Sequence, residues 1–226
     1  KKYRKDSYLI EGWHLFEEAV SSRAELIRIF ALAEYAERLA DFSQVIFVSP
    51  EILADLADSK TPQGIVAEVA FEREEIPSEL SGRYLFTEDV QDPGNVGTII
   101  RTADAAGFDG VFISRSSADI YNLKTLRSMQ GSHFHLPIYR VSREDMLALA
   151  RQSDLQILAS TLSEDSLDYQ KVEKYEDFLL VMGNEGQGIS QEMTDAADVL
   201  VHISMKGQAE SLNVAVAAGI LMFALS

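Results

Sequence analysis

Cysteine is absent from the 226 residues, which excludes disulfides and thiolate-held metals and fits a reducing compartment. Basic residues are scarce: 20 Lys and Arg stand against 36 Asp and Glu, for a formal net charge of -16. An acidic chain is repelled by phosphates at long range, so contact with nucleic acid has to rest on a local basic patch. Two stretches qualify: Lys1, Lys2, Arg4 and Lys5 at the start, and Lys124 with Arg127 further on. Apolar runs long enough for a membrane span are missing, and the opening KKYRKDSYLIEG has too short an apolar run for a signal peptide. The expectation is a cytoplasmic protein with no membrane partner. Among His14, His133, His135 and His202, only His133 and His135 are close. On an alternating strand they would share a face, and one such pair without a carboxylate nearby is a poor metal site, so no metal is expected. The stretch GNEGQGIS lacks the lysine and the spacing of a phosphate loop, and its glycines fall as G-x-x-G-x-G, which is not the dinucleotide order. No G-x-S-x-G elbow is present, which leaves a serine hydrolase with little support.

What is present is an ordinary globular composition, 46% hydrophobic and 25% charged, long enough for one large or two modest domains. Short apolar runs alternate with helical patterns. Residues 8–10, 44–48 and 65–71 read as strands, with helices opening at Trp13 and at Pro50, which suits a first turn. Residues 72–82 (EREEIPSELSG) are charged and aperiodic, and they divide the chain into units 1–75 and 76–226. In the second unit, strand 84–87 leads into the turn residues Asp92, Pro93, Gly94 and Asn95. Asn95 is positioned to cap the helix at 98–106, which Gly107 stops. Strand 110–114, helix 121–129, a strand over 134–141 interrupted by Pro137, helix 144–152 and strand 155–160 follow. The run 178–182 (FLLVM) is a buried strand broken abruptly by Gly183, and strand 199–203 precedes a final helix apolar almost all round and predicted to be buried. This alternation predicts an α/β fold with a mostly parallel sheet covered on both faces, whose ligands bind beyond the carboxyl ends of the strands.

Three loops share a character: residues 92–101, 183–190 and 204–213 each carry polar and glycine residues between a strand end and a helix. Side by side, they would bring Asn95, Arg101, Asn184, Glu185, Ser211 and Asn213 into one cleft. The plainer reading gives the same residues capping and turn duties: Asn95, Ser190 and Ser211 as N-caps, Arg101 at the surface, and Glu185 as a partner of a helix dipole.

The stretches VQDPGNVGTIIRTADAAGF, LLVMGNEGQGIS and HISMKGQAESLNVAVAAGILMF resemble, in order and spacing, the three signature motifs of the SpoU-like (TrmH-type) RNA 2'-O-ribose methyltransferases of the SPOUT class. The first unit, through LIEG and TPQGI, is similar to the L30e-like RNA-binding domain often joined to them. The resemblance implies a catalytic domain with a deep trefoil knot, preceded by a smaller L30e-like domain that binds the RNA substrate. It implies S-adenosylmethionine as cofactor, held around Leu162, Gly183, Asn184, Gly188, Ile203, Met205 and Leu212. It implies functional roles for Asn95, Arg101, Glu185, Ser211 and Asn213, and a homodimer packed through the knotted domains. The implied substrate is structured RNA, rRNA favoured over tRNA. Arg101 is expected to stabilise the developing alkoxide or anchor a phosphate, because a guanidinium is a poor base. The competing class is an RNA-binding or ribosome-assembly protein that keeps the knotted fold without catalysis.

Overall fold

The computed structural model describes residues 6–72 and 75–226; the basic opening of Lys1, Lys2, Arg4 and Lys5 lies outside them. Two sheets organise the chain. The smaller has the order β1-β4-β2-β3 and is built from β1 (Ser7–Glu11), β2 (Leu26–Ala31), β3 (Val45–Phe47) and β4 (Ile65–Ala70). Its β4 runs antiparallel to both β1 and β2, while β2 and β3 are parallel. Helices α1 (Trp13–Ser21) and α2 (Pro50–Leu56) accompany it. Ser49 caps α2 and Pro50 occupies its first turn, where a missing N–H costs nothing.

The larger sheet comprises β5 (Arg83–Thr87), β6 (Gly110–Ser114), β7 (Ile138–Val141), β8 (Gln156–Ser160), β9 (Leu167–Asp168), β10 (Phe178–Met182) and β11 (Val199–His202). Its order is β7-β6-β5-β10-β8-β11-β9, and every pairing is parallel. All five residues of β10 are buried. Phe178, Leu180 and Met182 pack on one face and Leu179 and Val181 on the other, which is why a parallel strand covered on both sides reads as an unbroken apolar run. One face carries α3 (Pro93–Ala105), α4 (Leu123–Met129) and α7 (Val214–Leu225); the other carries α5 (Arg143–Gln152) and α6 (Gln191–Ala196). The smaller unit joins the first of these cores, with Ile10, Leu15 and Phe16 in the same cluster as Val96, Ile99 and Met129.

Several local expectations are revised. The N-cap of α3 is Asp92, whose side chain accepts from the Asn95 amide at 2.9 Å, with Pro93 as first residue. Asn95 therefore sits one turn inside, with its side chain available for other partners. The N-cap of α7 is Asn213, not Ser211, while Ser190 does cap α6. The strand expected over 134–141 begins only at Ile138, and residues 132–134 form a 3-10 turn. His133 and His135 consequently share no strand face. The Nε2 of His133 lies 3.1 Å from the Tyr8 hydroxyl, whereas His135 stands between Glu18 at 2.9 Å and Asp104 at 3.4 Å. Carboxylates do adjoin that histidine, yet no metal-binding group of three ligands forms among the described residues. The last helix is not buried all round. Ala215, Ala218, Leu221, Met222 and Leu225 face the core, but Val216 and Phe223 are 52% and 60% exposed. The second basic patch is neutralised, since Lys124 pairs with Asp92 at 3.0 Å and Arg127 with Glu11 and Asp58 at 3.5 and 2.8 Å. No helix of the described residues is long and apolar enough to cross a membrane.

Candidate active site

Registers Met182↔Thr87, Val181↔Ala159 and Val201↔Ser160 set the carboxyl ends of β5, β10, β8 and β11 along one edge of the sheet. Chain order reverses there, because β5 continues outward to β6 and β7 while β10 and β8 lie on its other side. Such switch points open a crevice that helices cannot fill. A cavity of about 430 Å³ lies beyond the ends of β8, β10 and β11, within the range of small-molecule sites. All seven residues predicted to hold the cofactor line it: Leu162 after β8, Gly183, Asn184 and Gly188 after β10, and Ile203, Met205 and Leu212 after β11. Another cavity, of about 160 Å³, lies between the two units beside Tyr8 and His133. It gathers none of the three loops.

The loop after β10 owes its shape to Asn184. The side-chain oxygen of this residue accepts from the amides of Gly186 and Gln187 at 2.9 and 3.0 Å, and its backbone pairs with Gly188 in both directions at 2.9 Å. The side-chain amide donates to the Asp89 carbonyl at 2.8 Å. Asp89 has φ 59, an uncommon left-handed conformation, and Ser114 fixes it by accepting from its amide at 2.9 Å and donating to its carboxylate at 2.6 Å. A Cβ on Gly183 would run into the backbone of Gly188 and Ile189, so the loop's two ends touch only because position 183 has no side chain.

Glu185 reaches from this loop to the start of α3. It accepts from the amides of Gln91 and Asp92 at 3.3 and 3.2 Å and from the Asn95 side chain at 3.1 Å. Burial pushes its carboxyl up, but the bonds from Asn95 and from backbone amides outweigh this and hold it below the ordinary carboxylate value. The carboxylate is thus the favoured form, as a three-donor setting dictates. The Asn95 oxygen in turn accepts from the Asn213 side chain at 3.0 Å, and the Asn213 oxygen caps α7 by accepting from Ala215 and Val216 at 2.9 and 3.3 Å.

Of the five residues given functional roles, Asn95, Glu185 and Asn213 form one hydrogen-bonded chain, and Glu185 and Ser211 line the cavity. Arg101 stands apart. It is exposed on the third turn of α3, does not line the cavity, and its side chain has no hydrogen bond or ion pair among the described residues. Sequence reading missed Thr161, Gln187, His202 and Ala217, which also line the cavity, and the supporting Asp89 and Ser114. A polar residue just past a strand is the weak signal that marks Asp89.

The model of the SpoU rRNA Methylase family matches residues 82–223, and that of the MRM3-like substrate binding domain matches residues 1–67. The chain belongs to the SpoU rRNA methylase family. This SpoU chain is 37% identical to the 23S rRNA (guanosine(2553)-2'-O)-methyltransferase RlmP of Bacillus subtilis, over 100% of its own length and 90% of the relative's. Its fold is similar to that of the AdoMet-bound rRNA methyltransferase from Sinorhizobium meliloti, with TM-score 0.87 and 31% identity, covering 97% of this chain and 86% of that one. The SpoU methyltransferase AviRb from Streptomyces viridochromogenes, in complex with the cofactor AdoMet, matches with TM-score 0.81 and 29% identity, covering 97% and 89% of the two chains. The likeness therefore runs across both sheets.

Proposed function

We propose that this SpoU family member is an S-adenosylmethionine-dependent methyltransferase that modifies a ribose 2'-hydroxyl of structured RNA, with rRNA as substrate class. The observation that carries it is the single cavity into which the loops after β8, β10 and β11 all open, pinned to α3 through Glu185 and Asn95. The lining fits the cofactor. Leu162 and Leu212 are 68% and 38% exposed at the cavity, and exposed apolar groups in a concave site are suited to covering an adenine ring. The Gly183 and Gly188 backbone offers close approach, and the carboxylate of Glu185 suits a site that receives a cation. S-adenosylmethionine supplies a methyl group on a sulfonium, open to in-line displacement by the ribose oxygen.

The chain's own residues have two tasks: holding the reactants in line and stabilising charge on the attacking oxygen. Glu185, Asn95 and Asn213 do the first by locking the loop after β10 to the starts of α3 and α7. Arg101 is the candidate for the second, as a guanidinium without a partner among the described residues that stabilises the alkoxide or anchors a neighbouring phosphate. A guanidinium keeps its proton, so the hydroxyl proton leaves to solvent or to a phosphate. Ser211, exposed at the mouth, is assigned to the ribose. Unit 1–75 is proposed to bind the RNA and unit 76–226 to carry catalysis and the trefoil threading, in the cytoplasm. The exposed Val216 and Phe223 face of α7 supports a homodimer through the second unit.

The test is transfer of labelled methyl from S-adenosylmethionine to bulk RNA, followed by digestion to nucleosides. Label in 2'-O-methylnucleosides is the expected result. RNA that remains unlabelled, or that is labelled on bases, would overturn the proposal.

A further inference from the structure

The far end of the cofactor loop is held by a residue that no motif reading singled out. Glu88, the residue after β5, is 2% exposed, and its backbone amide extends the β5 to β10 ladder by donating to the Met182 carbonyl at 2.8 Å. Its two carboxylate oxygens face two different donors. One takes the Nε of Arg143, the first residue of α5; the other accepts from the Ser190 amide at 2.7 Å. Arg143 also approaches Glu192 on α6 at 3.4 Å.

We infer that Glu88, paired with Arg143, is a positioning residue for the methyl-donor loop, setting cofactor affinity through the Ser190 amide without touching the cofactor. The inference rests on the methyltransferase reading above and extends it to a residue outside the cavity. Geometry supports it in three ways. Ser190 closes the loop that Gly183 opens, and Gly188 and Ile189, just before it, supply the atoms against which Gly183 is packed. The other anchors of the loop, Asn184 on Asp89 and Glu185 on the start of α3, act on its first half, so Glu88 alone of these grips the second half. A buried group facing two donors needs two acceptors, and only a carboxylate supplies them; a carboxamide turns an N–H toward either Arg143 or Ser190 whichever way it is rotated. The charge in turn requires Arg143, because a buried carboxylate without a partner is costly.

The experiment measures S-adenosylmethionine binding by calorimetry on the full chain, well below its melting temperature, alongside steady-state kinetics. Glu88→Gln is expected to raise the cofactor Kd and KM about tenfold, since a hydrogen bond to a charged group is lost, with kcat at saturating cofactor changing much less. Adding Arg143→Met removes one of the competing donors and frees the carboxamide oxygen for Ser190, so the double variant is expected to regain most of the affinity. Ser190 has φ -69, a value proline adopts without strain. Ser190→Pro therefore removes the N–H, and Ser190→Ala, which loses only the cap, is its reference; this pair decides the matter where Glu88 variants fold poorly. Wild-type affinity in Glu88→Gln with a lowered melting temperature would overturn the inference, as would equal affinity in Ser190→Pro and Ser190→Ala. Absence of binding by the wild-type chain would instead overturn the methyltransferase reading and the inference with it.

Discussion

Asn213 donates a hydrogen bond to Asn95 at 3.0 Å, across 118 residues of sequence. The same Asn213 caps α7, and the same Asn95 donates to Glu185. One side-chain relay thus ties together the segments after β5, β10 and β11, and each amide is used at both ends, so neither can be turned without opposing like groups.

Replacement of Asn213 separates the cap from the relay. Asn213→Ala loses both and is expected to destabilise the chain by about 1 kcal/mol, the usual worth of a cap, and to lower turnover. Asn213→Asp keeps a capping oxygen but sets a carboxylate against the Asn95 oxygen. Its melting temperature is expected near that of the wild type, while methyl transfer falls about tenfold or more, the worth of one broken hydrogen bond to a polar network. Full activity in the Asp variant would show the relay to be dispensable.

Gly183 and Gly188 are expected to respond differently to a side chain. Gly183→Val forces apart backbone that now touches, and cofactor binding measured by calorimetry is expected to vanish. At Gly188, where φ is 70 and an added Cβ would meet no atom within 4 Å, Gly188→Ala meets only backbone strain of about 1 kcal/mol, and binding is expected to persist. Retained binding in Gly183→Val would remove this loop from the cofactor site.

Arg101→Ala tests the assignment of charge stabilisation. Because Arg101 lies outside the cavity lining, cofactor affinity is expected to stay within a few fold. Single-turnover methyl transfer is expected to fall by about 10²-fold or more, the scale of removing one preorganised charge stabiliser. Undiminished transfer would strip Arg101 of that role.

His133 makes the chain sensitive to acid. Burial, followed by the charge of His135, lowers its pKa to about 3. The unfolded imidazole takes up a proton near pH ~6.5, so between these values the unfolded state binds more protons and stability falls as pH drops. The contribution is fully present above pH ~6.5 and is lost progressively toward the folded value. Thermal melts from pH 7 to 5 should show a shallower decline in His133→Phe than in the wild type; parallel curves would mean that His133 does not drive the effect.

The uncovered side of α7 gives a prediction about assembly. Phe223, 60% exposed, is expected to lie in the contact between two copies. Phe223→Glu should shift sedimentation from dimer to monomer without unfolding the chain, because the core face of the helix is untouched. A wild-type monomer at micromolar concentration would end the dimer proposal.

Much of the second unit is legible in the sequence alone. The run FLLVM announces a strand buried on both faces, whatever its neighbours, because its composition alone forbids a wet side. Alternation of strands and helices dictates a parallel sheet, and parallel strands must end at one edge, so loops with glycine and polar residues at those ends mark a crevice. Family resemblance in those loops names Leu162, Gly183, Asn184, Gly188, Ile203, Met205 and Leu212, and all of them line the cavity. Local rules also identify Ser190 and Pro50 at helix starts. They fail at Asn95 because Asp92 and Pro93 compete for the same helix start, and at residues 134–137 because a polar-apolar alternation followed by proline reads as strand in either case.

What the sequence by itself determined is most of the strands and helices of the second unit, the fold class and the pocket-forming loops, since these follow from periodicity, turn chemistry and burial over short spans. Only the tertiary structure decided that β10 inserts between β5 and β8, and hence that Glu185 meets Asn95, that Asn213 meets Asn95, and that Glu88 holds Ser190. Those partners lie about a hundred residues apart along the chain, and no local preference of either member encodes the other. The same holds for Arg127, whose charge reads as a basic surface until folding sets it against Glu11 and Asp58. Strand order is a long-range choice among near-equivalent apolar runs, and it is made by the packing of the whole core.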